Sequence, residues 1–182
     1  EYNGLLYFNA KGSAGNDELW QTDGTTSGTV IAADINGSGG SIPEQLTLYG
    51  GILYMSADDG VIGEELYQYN GTSATPAENI TGDASDSSLR SLINYYNFLM
   101  IPSNGLYFMA DGGTNGSELW VYDGSSASRI SDINGSGDSA PLNLTVYNGD
   151  LYFGATDGGS TVGREIWHYY VSQVTPVVLT AI

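Results

Sequence analysis

The sequence predicts an all-β protein made of four copies of one unit of about 47 residues. Two short motifs recur in step along the chain, and segments rich in Tyr, Trp, Val, Ile and Thr alternate with glycine-containing turns. No segment shows helical periodicity of useful length. We therefore expect a β-propeller-like array of four four-stranded antiparallel units.

The two recurring motifs define the copies. A Leu-Tyr-aromatic or Leu-Tyr-Met triplet, followed two residues later by alanine, starts at Leu6, Leu53, Leu106 and Leu151. A second triplet starts with glutamate at Glu18, Glu65, Glu118 and Glu165, at intervals of 47, 53 and 47 residues. This spacing predicts a single repeat domain, 1–182, divided into copies 1–43, 44–87, 88–140 and 141–182.

The second copy shows the four strands of a unit most clearly. We predict strands at 45–49, 52–57, 64–69 and 77–80, separated by turns that contain glycine. In the fourth copy, Asn148-Gly149 lies between two such strands. This dipeptide is a strong hairpin signal, because a two-residue turn of this type needs positive φ at both central positions.

The first copy lacks most of its inner strand, of which only Glu1 and Tyr2 remain. A small sheet cannot bury both faces alone, so the copies are expected to stack, either radially as a propeller or as a linear array. The missing strand must come from removed residues, from the C-terminal segment or from a neighbouring molecule, since an open edge is an aggregation hazard. A closed four-bladed ring, a dimer and a filament all satisfy this requirement, and we expect self-association.

Composition narrows the classes of partner. The chain has 4 Lys plus Arg against 21 Asp plus Glu, a formal net charge of −17, and no cysteine. Nucleic acid and anionic membranes are poor partners for such a chain, whereas cations are natural counterparts. The alternative interpretation is that the negative surface charge keeps the protein soluble. No apolar run of about 18 residues occurs, so membrane insertion is not expected.

The second motif extends into a longer signature. Residues 18–25 read Glu-Leu-Trp-Gln-Thr-Asp-Gly-Thr, and the third copy keeps this pattern from Glu118 to Gly124 with Ser125 in place of the threonine. The chain therefore resembles the bacterial ELWxxDGT repeat family over nearly its whole length. Copies two and four depart from the signature at Asn70 and His168. The resemblance implies propeller-like repeats in secreted or surface-attached proteins and no shared enzymatic activity.

Two Asp-Ile loops are candidate Ca²⁺ sites. Oxygen-bearing side chains at alternate positions, followed by glycine, suit a hard cation. The candidate ligands are Asp34, Asn36 and Ser38 in the first loop, and Asp132, Asn134, Ser136 and Asp138 in the second. Neither loop has an acidic residue at its twelfth position, where Gln45 and Asn143 lie. The alternative interpretation is a turn in which Asp and Asn cap their own backbone.

Aromatic residues at one strand position are candidate ligand-binding residues. Sugars could stack on the aromatic rings at this position, which are Trp20, Tyr67, Trp120 and Trp167. The alternative interpretation is that these residues pack between sheets, because they recur at a fixed position. Catalysis is not expected, because a single histidine and no cysteine leave little material for a nucleophile and base.

The sequence thus favours a non-catalytic structural or adhesive module at the bacterial cell surface or outside the cell. We expect it to self-associate, and Ca²⁺ is the one cofactor that the sequence suggests. Glycans and other surface proteins are the further partners expected. A carbohydrate-binding lectin is the alternative function.

Overall fold

The computed structural model describes residues 1–12, 14–95, 104–135, 137–159, 163–169 and 180–181. The described residues contain no helix and form four antiparallel sheets of three or four strands. No described helix could therefore cross a membrane. The chain divides into two compact units, Glu1–Ser87 and Ser88–Ile182, here called the N-terminal and C-terminal units.

The N-terminal unit contains sheets 1 and 2, in which each strand pairs with the next one along the chain. Sheet 1 consists of β1 (Leu6–Lys11), β2 (Asp17–Thr22) and β3 (Val30–Ala33). Sheet 2 consists of β4 (Glu44–Tyr49), β5 (Ile52–Asp58), β6 (Glu64–Tyr69) and β7 (Ala74–Glu78).

The C-terminal unit contains sheets 3 and 4 with the same connectivity. Sheet 3 consists of β8 (Arg90–Tyr95), β9 (Gly105–Asp111), β10 (Ser117–Tyr122) and β11 (Ala127–Arg129). Sheet 4 consists of β12 (Leu142–Tyr147), β13 (Asp150–Ala155), β14 (Glu165–Tyr169) and β15 (Thr180–Ala181).

A two-residue turn joins the first two strands of sheet 4 where the sequence predicts it. Asn148 and Gly149 have φ of 50° and 83°, the positive values expected for this hairpin. Asn3 and Gly4 have φ of 51° and 76° and form the same kind of turn at the start of sheet 1. There Tyr2 and Leu5 exchange backbone hydrogen bonds of 2.9 and 3.1 Å, so Tyr2 occupies the last position of an inner strand.

The inner strands β4, β8 and β12 share an irregularity. Each shows a register shift against its partner strand, between Glu44 and Thr47 in β4 and at the equivalent places in the other two. One residue in each shift has positive φ: Gln45 at 57°, Ser91 at 58° and Asn143 at 57°. The repeat therefore includes a bulge in its first strand.

Three of the four strands predicted in copy two agree with the structure to within one residue. The fourth, β7, begins at Ala74 and includes Pro76, whereas the prediction started at 77. Proline is compatible with this position because β7 is an edge strand of sheet 2, where one backbone edge makes no sheet hydrogen bonds.

An apolar core lies between the two sheets of each unit. In the N-terminal unit, Leu19 of sheet 1 packs with Leu53, Met55 and Tyr67 of sheet 2. In the C-terminal unit, the core residues of sheet 3 and sheet 4 are at corresponding positions: Tyr107, Leu119, Leu151 and Phe153. Successive sheets within a unit therefore cover each other's apolar faces.

Candidate functional site

A buried glutamate recurs near the start of β2, β6 and β10. Each carboxylate accepts a hydrogen bond from an isoleucine N–H in the Asp-Ile loop or its counterpart, at 2.8, 2.9 and 3.3 Å. The pairs are Glu18 with Ile35, Glu65 with Ile80, and Glu118 with Ile133. Burial raises the pKa of Glu65 and of Glu118. These glutamates attach a loop to a strand and are not presented to solvent.

Sequence reasoning missed the serine that completes this arrangement. The hydroxyl of Ser41 donates to the Glu18 carboxylate at 2.6 Å, and Ser139 donates to Glu118 at the same distance. Both serines are buried. A third serine, Ser87, is buried at the equivalent place in copy two. This recurrence, three residues before each inner strand, was a signal available in the sequence.

In the first candidate Ca²⁺ loop, the Asn36 side chain is committed to contacts within the protein. Its Oδ1 accepts hydrogen bonds from the Ser38 N–H at 3.4 Å and from the Ser38 hydroxyl at 3.3 Å. The same side chain is buried against Gly60 in the turn between β5 and β6, where an added Cβ would lie 3.0 Å from its amide atoms. Asp34 and Ser38 are exposed. The structure thus brings Asn36 and Ser38 together in a capped turn.

Both acidic side chains of the second candidate loop also have protein partners. Asp132 forms an ion pair with Arg129 at 3.1 Å and accepts a hydrogen bond from Asn115 at 3.0 Å. The carboxylate of Asp138 accepts the Ser117 N–H at 2.8 Å. The Asn134 side-chain amide donates a 2.9 Å hydrogen bond to the Asp138 carbonyl. Ser136 lies outside the described residues. Within the described ranges, no three acidic or histidine side chains cluster as metal ligands do.

The four candidate aromatic residues occupy equivalent strand positions but differ in packing. Tyr67 is fully buried in the core of the N-terminal unit, and Trp167 packs against the core of the C-terminal unit. The indole N–H groups of Trp120 and Trp167 donate to cross-strand carbonyls at 3.0 and 3.1 Å. Trp20 is half-buried and belongs to sheet 1. Packing between sheets therefore accounts for Tyr67 and Trp167.

One face of sheet 1 is open. Tyr7 packs against the core of the N-terminal unit, so its strand neighbours Leu6 and Phe8 point to the opposite face. Leu6 is 57% exposed, although the equivalent Leu53 and Leu151 are buried in the two cores. This open face also includes Phe8 and Trp20, which pair across β1 and β2 and are both half-buried.

In sheet 4, the open face is equivalent to the Tyr7 face of sheet 1, which is the covered face there. Leu151 and Phe153 point into the core of the C-terminal unit, which leaves Tyr152 on the other face. Ile166 is 59% exposed there, whereas its equivalents Leu19 and Leu119 are completely buried by the sheet that follows. The two open faces are thus the two complementary halves of the sheet-to-sheet contact found within each unit.

The side chain of the single histidine contacts residues of the neighbouring strand. His168 is buried, stacks on Tyr152 with ring centroids 4.4 Å apart, and lies 3.1 Å from the carboxylate of Asp150. These contacts join β13 and β14 at the open face of sheet 4.

No known protein-family model and no curated protein sequence matches the chain.

Proposed function

We propose that the chain is a non-catalytic structural and adhesive repeat module that self-associates head to tail through its two open sheet faces. The observation that carries this proposal is the exposure of Leu6 and Ile166. Their equivalents are buried between the two sheets of a unit: Leu53 and Leu151 for Leu6, and Leu19 and Leu119 for Ile166. Burial of such apolar side chains is the main favourable term in association. The sheets then act as blades of a propeller that extends from one molecule to the next.

The partner face is supplied by a second copy of the chain. Within each unit, the face with Leu19 or Leu119 packs on the face with Leu53 or Leu151. By the same geometry, the Ile166 face of one molecule packs on the Leu6 face of the next. A contact between unlike faces closes into a ring if the rotation allows it and otherwise continues as a filament.

A structural role is also supported by how the recurring polar residues are used. The repeated glutamates accept hydrogen bonds from the protein backbone, and the buried His168 stacks on Tyr152 and lies 3.1 Å from the Asp150 carboxylate. These groups are therefore committed to holding strands and loops together. The resemblance to surface-attached bacterial repeats and the net charge of −17 support a position outside the cell or at its surface.

Carbohydrate binding is the second candidate function, because the open face of sheet 1 presents Trp20 beside Phe8. Aromatic rings of this kind stack on sugars. A glycan array tests this candidate: sugar binding that free sugar blocks and that Trp20→Ala abolishes would favour it. Because sugar and the second copy would use the same face, sugar binding would also compete with self-association.

Sedimentation velocity over a wide concentration range tests self-association directly. We expect the wild type to form dimers or larger species, and Leu6→Glu or Ile166→Glu to leave each chain monomeric at the same concentration. Val61→Glu is the matched control, since Val61 is 72% exposed in the turn before β6.

Mixing the two blocked variants gives the sharper outcome. Each variant retains one intact face, so the mixture should form one-to-one dimers and nothing larger. Wild-type protein that stays monomeric at all concentrations would overturn the proposal.

A further inference from the structure

A pocket of about 90 Å³ lies in sheet 3 beside the turn that joins β9 to β10. Its lining residues are Gly112, Thr114, Asn115, Gly116, Trp120 and Arg129. All of them belong to that turn, to β10 or to β11, so a single sheet forms the pocket. Pockets for drug-sized ligands measure about 300 Å³ or more, so this pocket suits one small ring.

The indole ring of Trp120 is held by two contacts. Its N–H donates a hydrogen bond to the Ala110 carbonyl at 3.0 Å. Its Cζ2 atom lies so close to Gly112 that a Cβ added there would be 2.7 Å away. Trp120 is only half-buried, so part of the ring is accessible from the pocket. A fixed, accessible aromatic ring is a stacking surface that loses little conformational entropy when a ligand binds.

Polar side chains lie beside this ring and hold each other in place. The Asp132 carboxylate pairs with Arg129 at 3.1 Å and accepts a hydrogen bond from the Asn115 amide at 3.0 Å. The Thr114 hydroxyl donates to Asn115 Oδ1 at 2.9 Å. A guanidinium carries five N–H donors, and an amide oxygen has two acceptor lone pairs. The pocket therefore presents donors and acceptors next to each other, the combination that binds a hydroxyl group.

Sheet 1 has an apolar side chain where sheet 3 has Arg129. Trp20 lies opposite Ile31, just as Trp120 lies opposite Arg129. The Cδ1 atom of Ile31 would be 3.7 Å from a Cβ added at Gly12, next to the Trp20 ring. Sheet 1 therefore has the indole ring without the guanidinium group.

The aromatic position of sheet 2 is closed. Tyr67 lies opposite Pro76 and is only 1% exposed. In sheet 4, Trp167 lies opposite Ala181, and residues 160–162 of the corresponding turn lie outside the described part of the chain. Within the described residues, an accessible ring and polar groups therefore coincide in sheet 3.

We infer that this pocket binds one neutral pyranose residue of a carbohydrate, whose apolar ring face stacks on Trp120. The sugar hydroxyls accept hydrogen bonds from Arg129 and donate them to Asn115 or Thr114. A neutral sugar is favoured over an acidic one, because Asp132 offsets the charge of Arg129 and the chain has a net charge of −17. The inference rests on carbohydrate binding, the second candidate function, but needs neither the open faces nor self-association.

Heteronuclear NMR of the full chain tests the inference, because its three tryptophans give separate indole N–H signals. The probes are the methyl glycosides of glucose, galactose, mannose, fucose and N-acetylglucosamine, with methyl glucuronide as the acidic comparison. We expect at least one neutral glycoside to shift the Trp120 signal saturably and to leave the Trp20 signal unchanged. No shift of the Trp120 signal with any neutral glycoside, or a shift with the glucuronide alone, would overturn the inference.

Arg129→Ile gives sheet 3 the side chain that sheet 1 has at this position. It should weaken sugar binding by about tenfold or more, since it removes the charged hydrogen-bond donors. The substitution breaks only a partly exposed ion pair, so the Tm should change little. Unchanged affinity in this variant would refute the assigned site.

A matched pair of tryptophan variants separates this site from the open face of sheet 1. Trp120→Ala should abolish sugar binding, and Trp20→Ala should leave it unchanged. The reverse result would support sugar binding at the open face and overturn the inference. The Leu6→Glu protein should bind the sugar as the wild type does, so this test can fail independently of self-association.

Discussion

Ser41 donates a 2.6 Å hydrogen bond from its hydroxyl to the carboxylate of Glu18. The carbonyl of the same serine accepts the Asp58 N–H at 3.0 Å, so one residue joins β2 of sheet 1 to β5 of sheet 2. Ser139 repeats this connection in the C-terminal unit, between Glu118 and Thr156. The recurring glutamate is therefore part of the joint between successive sheets, which leads to the first prediction.

Glu18→Ala should lower the free energy of unfolding by about 3 kcal/mol. The substitution leaves the Ile35 N–H and the buried Ser41 hydroxyl without their acceptor, and unsatisfied buried donors cost about 1–3 kcal/mol each. Urea denaturation measures the loss. Glu44→Ala, at an exposed glutamate, is the control and should change stability by less than about 0.5 kcal/mol. Equal effects in the two variants would show that the joint contributes nothing.

The stability contributed by Glu65 should fall as pH rises. Burial raises the pKa of Glu65 in the folded chain above its unfolded value. Its contribution is therefore fully present below the unfolded pKa and is lost as pH rises through the folded pKa. We expect the unfolding free energy of the wild type minus that of Glu65→Gln to decrease between about pH 4 and 7. A difference that increases over this range would contradict the direction of the pKa shift.

Gly60→Ala should destabilise the chain by about 1–2 kcal/mol. Gly60 has φ of 77°, and an added Cβ would also lie 3.0 Å from the Asn36 side chain. Gly37→Ala in the neighbouring loop is the matched control, because Gly37 has neither positive φ nor an atom within 4 Å of an added Cβ. Thermal denaturation of both variants separates the conformational effect of Gly60 from a general effect of alanine. Unchanged stability of Gly60→Ala would argue against the close contact with Asn36.

Leu119→Ala and Ile166→Ala should differ strongly, although the two residues are equivalent in the repeat. Leu119 is completely buried between sheets 3 and 4, and its truncation should cost about 3 kcal/mol. Ile166→Ala should cost less than about 0.5 kcal/mol in the monomer, since Ile166 is on the open face. Denaturation at low protein concentration makes the comparison. A large loss for Ile166→Ala in a monomer would mean that this face is covered within the chain.

Ca²⁺ should leave the Tm close to its value in EDTA. Three of the side chains predicted as ligands already have partners: Asn36 accepts from Ser38, Asp132 pairs with Arg129, and Asp138 accepts the Ser117 N–H. A cation would have to displace these contacts. Thermal melts with Ca²⁺, with Mg²⁺ and with EDTA check the expectation. A rise in Tm with Ca²⁺ alone would instead support the Ca²⁺ site predicted from the sequence.

Local features of the sequence determined the all-β class, the antiparallel sheets and most strand positions. Alternating side chains and glycine turns act within a few residues, so Asn148-Gly149 predicts its hairpin without further information. The start of β7 was misplaced because tolerance of Pro76 depends on being at a sheet edge.

The tertiary structure alone decided which copies of a repeated residue are covered. Leu19, Leu119 and Ile166 occupy the same place in the pattern, yet burial depends on whether another sheet packs over them. The bond between Glu18 and Ser41 likewise joins residues far apart in the chain. Such contacts form only when sheets stack. The alternation of side chains along one strand does not predict which sheet packs against it.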